Sequence, residues 1–274
     1  MQRTAESIRN SGRTLGVVPT MGALHDGHLS LIRLARQHAD QVVATIFVNP
    51  AQFGPAEDFN RYPRDLEKDS ALAMAAGADL IFAPQMAEMY PPGYLSYVNV
   101  ESLGEKLEGK SRPGHFRGVA TVVTKLLHIV KPHVAVFGQK DAQQVAVIRR
   151  MVLDLNVDVR LIIGPIVRES DGLAMSSRNV YLTAEQRQEA QVLYRSLQLA
   201  EQRLRQGERE CARVIRDMTS LVTSSSSGVV DYISIADNET LDELTNCLPP
   251  RTLLVSLAVR FGKTRLIDNI CLSV

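Results

Sequence analysis

The sequence predicts an α/β protein in two parts: a parallel sheet with helices on both faces over residues 1–167, and a smaller α+β domain over 168–274. Three observations predict it. Short apolar runs alternate with segments of helical period through the first 165 residues, the spacing of repeated strand–helix–strand units. Val42–Val48 (VVATIFV) is continuous and β-branched, which suits a strand covered on both faces. Near residue 168 the pattern changes to a polar, Gly-containing loop, then to helices and alternating strands.

In chain order, Thr14–Pro19 reads as a buried strand and Gly27–His38 as a helix with Leu29, Ile32, Leu34 and Ala35 largely on one side. Val42–Val48 is the second strand, Pro63–Ala76 a helix stopped at Gly77, and Leu80–Ala83 the third strand. Val119–Val130 reads as a helix, His133–Phe137 as a strand, Asp141–Leu153 as a helix and Val157–Ile163 as a strand. Arg168–Asn179 is the loop. Thr183-Ala-Glu-Gln186 matches a capping box, in which the first and fourth side chains each accept the other's backbone N–H. It opens a long helix towards Arg205. Another helix runs to about Leu221, Ser224–Gly228 is a turn, and Val229–Ile235, Leu253–Val259 and Thr264–Asp268 read as strands.

Composition narrows the function classes. With 45% hydrophobic and 22% charged residues the 274-residue chain is neither disordered nor collagen-like. Lys and Arg number 31 against 30 Asp and Glu, so no basic surplus points to nucleic acid, and no nucleic-acid partner is expected. Cys211, Cys247 and Cys271 form no CxxC pair and fit a reducing compartment better than a disulfide framework. No apolar run reaches the ~18 residues that span a bilayer, and Met1–Thr14 lacks the apolar core of a signal peptide. The expectation is a soluble, cytoplasmic protein with no membrane partner.

Three clusters carry chemistry. Pro19-Thr-Met-Gly-Ala-Leu-His25-Asp-Gly-His28 follows the first strand and opens the first helix. Helix N-termini favour phosphate, and two imidazoles three residues apart share a face of the opening turn, where they can donate to phosphate oxygens. The plainer alternative is a turn shaped by Gly22 and Gly27; two histidines at this spacing favour the functional reading. Phe137-Gly-Gln-Lys140-Asp141-Ala-Gln-Gln144 repeats the placement at a strand end. Gly138 allows close approach of a ligand, Lys140 supplies a mobile charge, and Asp141 either caps the helix or accepts from a ribose hydroxyl. Met175-Ser176-Ser177-Arg178 lies in the loop and suits a clamp over phosphates, although such a segment is more often plain surface. Together the clusters predict a nucleotide site in an interdomain cleft. Walker A and GxGxxG patterns are absent. Gln52, after the second strand, offers both a donor and an acceptor to a small substrate.

These stretches resemble the pantoate–β-alanine ligases (pantothenate synthetases): PTMGALHDGH at 19–28, FVNPAQF at 47–53, YPRD at 62–65, SRPGHFRGV at 111–119, FGQKDAQQ at 137–144 and MSSRN at 175–179. They stand in family order over most of the first 180 residues. HDGH resembles the HIGH signature of the wider nucleotidyltransferase superfamily, and MSSR occupies the place of its KMSKS loop. The resemblance implies a Rossmann-like first domain, a smaller C-terminal lid and a homodimer. It also implies a two-step ligation with ATP and Mg²⁺, in which pantoate forms pantoyl adenylate with release of pyrophosphate and β-alanine then displaces AMP.

Carried onto this chain, the resemblance implies that Met21, Gly22, Ala23, Leu24, His25, Asp26, Gly27 and His28 form part of the ATP site, with His28 as proton donor and His25 and Lys140 also on phosphate. Gly138, Gln139, Lys140 and Asp141 would bind nucleotide, Val167 would touch adenine, and Met175, Ser176, Ser177 and Arg178 would close over phosphates. Gln52 and Gln144 would hold pantoate. No residue is assigned as a direct metal ligand, and Asp69 would contact Mg²⁺-bound water. Arg112 and His115 match a family segment and serve equally well as structural residues. Gln139 stands where the family usually has Glu, which removes a charge beside Lys140. Two alternatives remain: a nucleotidyltransferase acting on a phosphorylated substrate, against which Gln52 and Gln144 argue because phosphate favours Arg or Lys, and a non-catalytic nucleotide-binding module, against which His28, Lys140 and Ser176–Arg178 argue.

Overall fold

The structure, a computed structural model, describes residues 1–55, 57–248 and 250–274. The chain divides into two compact units, Met1–Gln139 with Gln143–Pro165, and Lys140–Ala142 with Ile166–Val274.

The first unit holds α1 (Gln2–Asn10), β1 (Leu15–Thr20), α2 (Asp26–Arg36), β2 (Gln41–Ile46), α3 (Leu66–Ala75), β3 (Leu80–Phe82), α4 (Met86–Met89), α5 (Glu108–Ser111), α6 (His115–Val130), β4 (Val134–Gly138), α7 (Ala142–Asp154, its first residue clustering with the second unit) and β5 (Arg160–Gly164). The five strands are parallel, in the order β3-β2-β1-β4-β5. β1 and β2 are buried along almost their whole length, as the continuous apolar runs require. Leu29, Ile32 and Ala35 of α2 pack with Val18, Val42, Ala44 and Val136 of the sheet.

Several elements depart from the sequence reading, among them the short α4 and α5, which it does not contain. α1 has no counterpart in it, since this helix buries only Ala5 and Ile8 and so shows no apolar run. α6 begins at His115 rather than Val119, with Gly118 inside it. The single helix expected from Thr183 to Arg205 is two.

The second unit holds α8 (Ala184–Glu189), α9 (Val192–Arg205), α10 (Cys211–Ser225) and an antiparallel sheet β6 (Val229–Asp237), β7 (Thr252–Phe261), β8 (Thr264–Ser273), with β7 central. The Thr183 capping box forms: Thr183 Oγ1 accepts from Gln186 N at 3.2 Å and Gln186 Oε1 from Thr183 N at 3.1 Å. The break between α8 and α9 is a tightening of the ladder, with Leu193 N donating to Ala190 O. Leu197, Leu204, Val214 and Met218 cover Leu253, Val255, Leu257 and Val259 of β7. Cys211 and Cys247, 36 residues apart, meet in this core with sulfurs 2.9 Å apart and remain free thiols, whereas Cys271 is exposed. Among the described residues no helix is long and apolar enough to cross a membrane.

Candidate active site

Strand order reverses between β1 and β4, whose neighbours diverge to β2 and β5. In open parallel sheets that reversal leaves a crevice beyond the strand ends where ligands bind. β1 ends at Thr20 and β4 at Gly138, so Met21–His28 and Gly138-Gln139 both leave the sheet at this point.

The turn after β1 is held by a carboxylate from α3. Gly22 has φ +84° and Ala23 φ +51°, and the left-handed region costs a non-glycine residue about 1–2 kcal/mol. Asp69, 2% exposed, accepts from Ala23 N through Oδ2 and from Leu24 N through Oδ1, both at 2.8 Å. A Cβ on Gly22 would lie 2.8 Å from Asp69 Oδ2, so glycine serves both the backbone angle and the close approach. Both carboxylate oxygens hold the backbone, so Asp69 anchors the loop. Leu24 turns its side chain into the core and offers the site only its backbone. Asp69→Asn keeps the shape but sets an amide N–H₂ against a backbone N–H. A loss of about 1–3 kcal/mol in urea denaturation is expected, and an unchanged midpoint would remove Asp69 as the anchor.

α2 opens with two histidines in place of the usual capping side chains. Gly27 N donates to His25 Nδ1 at 3.2 Å, and His25 N donates to His28 Nδ1 at 3.3 Å. The rings lie 4.1 Å apart between centroids. A ring nitrogen that accepts a backbone N–H carries no proton, so in each neutral ring the hydrogen sits on Nε2. The helix start thus carries two imidazole N–H donors as well as its own dipole.

Gln52 closes a short 3₁₀ turn, Pro50–Gln52, and is held from several sides. Asn49, 1% exposed, donates to Gln52 Oε1 and to Gly118 O, both at 3.1 Å, and accepts from the Tyr90 hydroxyl at 2.7 Å. Burial above all raises the Tyr90 pKa, so that hydroxyl stays a donor. Gln52 Nε2 meets Met21 Sδ at 3.1 Å, joining two of the expected segments. Its backbone oxygen accepts from His115 Nδ1 at 2.8 Å and from Arg112 at 3.3 Å. Arg112 makes a two-pronged bond to Glu57, at 2.7 Å on each arm, and its Nη1 lies 3.0 Å from His115 Nε2. Arg112 and His115 are thus supports for Gln52.

Burial first, then the Arg112 charge, lowers the His115 pKa from 6.5 to about 4, outweighing the Gln52 bond and the charges of Glu57 and Glu108. Between pH 6.5 and 4 the unfolded chain holds a proton there that the folded chain lacks. Stability is expected to fall by up to about 1.4 kcal/mol per pH unit as pH drops through that window. Glu57 acts in the same direction lower down: burial opposes its charge, but Arg112 outweighs that and holds its pKa below the ordinary value. Urea midpoints at pH 7 and pH 5 check this, and the drop should shrink in His115→Gln.

The remaining expected residues fall in several places. Gly138 pairs with Gly164, and a Cβ there would meet only Leu31 at an ordinary 3.6 Å, so internal packing does not demand glycine. Gln139 is half-buried. Gln144 is half-buried on α7, while Gln143 beside it is buried and bonds Leu103 O, Lys106 O and Glu108 N. In the second unit, Lys140 is half-buried and Asp141 exposed in a 3₁₀ turn. Val167 O accepts from Met175 N at 3.0 Å, which closes a small hairpin and brings those two segments together. Ser176 caps the 3₁₀ helix Ser177–Tyr181 through Arg178 N at 3.2 Å. The sequence reading gave no role to Asn49, Tyr90 or Gly118, although Asn49 and Gly118 stand in the quoted stretches. Asn49 stands in the quoted FVNPAQF stretch, and an Asn before Pro at a strand end is a capping signal; Tyr90 and Gly118 act only through tertiary contacts. Among the described residues no group of three or more His, Cys, Asp and Glu side chains is placed to hold a metal ion.

Residues 1–271 match the family model described as pantoate-beta-alanine ligase. The chain is 56% identical over 266 residues to the pantothenate synthetase of Acetivibrio thermocellus, covering 97% of this chain and 94% of that one. It is 57% identical over 286 residues to that of Heliobacterium modesticaldum, covering 99% and 100%. The solved pantothenate synthetase of Thermus thermophilus superposes with a TM-score of 0.90 at 48% identity, over 97% of this chain and 96% of that one. The pantoate-beta-alanine ligase of Francisella tularensis, solved in complex with beta-gamma ATP and beta-alanine, superposes at 0.79 with 36% identity, over 98% and 94%. With a parallel sheet whose strand order reverses at the motif-bearing loops, a family match from end to end and relatives above half identity, the chain belongs to the pantoate–β-alanine ligase family.

Proposed function

We propose that this enzyme joins pantoate to β-alanine in two steps, through pantoyl adenylate, releasing pyrophosphate and then AMP. The observation that carries the reading is the histidine pair at the start of α2, whose Nδ1 atoms are bound to backbone N–H groups so that each ring's proton is on Nε2. In the first step pantoate carboxylate attacks the α-phosphorus and the bond to the pyrophosphate oxygen breaks. Charge grows on the α- and β-phosphate oxygens, and fixed N–H donors stabilise it without reorganising. His25, His28 and Lys140 take that role. The backbone of Met21–Gly27, with Gly138–Asp141, Val167 and Met175–Arg178, binds the nucleotide, and Gln52 and Gln144 hold the hydroxyls and carboxylate of pantoate. In the second step the β-alanine amine, once it has lost a proton, attacks the acyl carbon and AMP leaves. No side-chain nucleophile is needed.

Mg²⁺ is proposed to arrive on the ATP phosphates, with Asp69, which anchors the loop after β1, contacting its bound water. We assign ATP and pantoate binding to residues 1–167 and the lid to 168–274, and place the enzyme in the cytoplasm as a homodimer. The deciding experiment is exchange of labelled pyrophosphate into ATP without β-alanine. Exchange that requires pantoate is expected; exchange independent of pantoate, or none, would overturn the adenylate route. Gly138→Ala is expected to keep the parental melting temperature, because its Cβ meets only Leu31, and to weaken ATP binding measurably by calorimetry.

A further inference from the structure

Two segments of the second unit that the proposed function places on phosphate share one support. Asp268 and Asn269 are consecutive on β8, so their side chains leave opposite faces of the sheet. Asp268 lies opposite Leu257, on the apolar face. Its fully buried carboxylate takes a two-pronged ion pair from Arg168, at 2.6 and 3.0 Å. Arg168 also stacks over the Tyr194 ring at 4.0 Å and donates to Gly172 O at 3.1 Å. It thereby fixes the hairpin from Val167 to Met175, at whose end Met175–Arg178 begins. Asn269 lies opposite Ser256 on the other face, and its amide donates to Lys140 O at 3.0 Å. The Asp268 carboxylate accepts the Asn269 backbone N–H at 2.8 Å, which ties the two together.

We propose that Asp268 and Asn269 are positioning residues for the first half-reaction, Asn269 by fixing the backbone at Lys140 and Asp268 by fixing, through Arg168, the hairpin that leads into Met175–Arg178. The proposal rests on the phosphate roles given above to Lys140 and Arg178. A buried arginine–carboxylate pair gains rigidity when both arms are satisfied, and that rigidity is what a phosphate-binding backbone requires. One strand then sets both segments, so they keep a constant spacing.

The test is a double-mutant cycle read by pantoate-dependent pyrophosphate exchange, with KM values for ATP and β-alanine and melting temperature measured alongside. Asn269→Leu removes the donor at similar volume. It is expected to slow exchange by ~10–100-fold, leave the KM for β-alanine within about twofold, and add less than about twofold in a Lys140→Ala background. Asp268→Asn should behave in the same way against Arg178→Ala. If Asn269→Leu does not yield folded enzyme, Asn269→Thr, which suits a strand and is too short for the bond, replaces it. Equal losses with and without the Lys140→Ala change, or a loss carried by the KM for β-alanine alone, would overturn the positioning role. A Lys140→Ala enzyme with parental exchange would overturn instead the assignment of Lys140 to phosphate.

Discussion

His28→Ala is expected to slow adenylate formation by ~10²–10³-fold, the usual cost of losing one donor to developing charge. Turnover should suffer more than substrate affinity, because the proposed contact would strengthen as the α-phosphate gains charge. The same ring also caps α2, accepting His25 N, so the alanine variant should lose about 0.5–2 kcal/mol of stability as well. His28→Glu separates the two effects. A glutamate at this position can accept the same backbone N–H, as in an ordinary capping box, and restores stability. It brings negative charge to the phosphates and no N–H donor, so it should stay inactive. Single-turnover adenylation with thermal denaturation of both variants decides the matter, and a stable, active His28→Glu enzyme would sink the catalytic assignment.

Gly118→Ala is expected to be among the most damaging single methyl additions in the first unit. Its Cβ would stand 2.1 Å from Ala51 O, 2.4 Å from Ala51 C and 2.7 Å from Gln52 N. All three are backbone atoms, so the whole Pro50–Gln52 turn must move. Overpacking of this kind costs about 1–3 kcal/mol or more. The turn also carries Gln52, and the Asn49 bond to Gly118 O would shift with it. A displacement of about 1 Å in a substrate-holding group can cost ~10²-fold in rate. The KM for pantoate should rise far more than that for ATP. A folded variant with parental pantoate kinetics would show that Gln52 does not hold this substrate.

The sheet and its loops were legible because they are periodic. β1, β2 and β4 are largely apolar runs, and the turn after β1 carries glycine and histidine at short, fixed spacing. What was not legible depends on distant contacts. Gly118 lies inside α6, whose start was placed too late, and the need for glycine there comes from Ala51, 67 residues away by number. Asp69 sits in the first turn of α3, where an acidic residue is commonplace; only the fold reveals its two bonds 45 and 46 residues back. The histidine capping box was unreadable for a chemical reason, since Ser, Thr, Asp and Asn are the side chains that normally mark a helix start. Residues 84–114 yielded no predicted secondary-structure element because α4 and α5 are single turns, too short to show a period.

The pairing of β1 with β4 has a consequence for how the molecule comes into being. Leu15 N bonds the His133 ring across 118 residues of chain, whereas β1 meets β2 after a single intervening helix. On a ribosome adding about 5–20 residues per second, the early strands wait roughly 6–24 s before their partner across the reversal has been made. During that interval β1 has an unpaired edge, rich in valine and open to mispairing, and the loop after it lacks one wall of its crevice. Nucleotide binding by nascent chains should therefore be absent until β4 has cleared the exit tunnel, and crowding of unfinished chains should favour aggregation most strongly before that point.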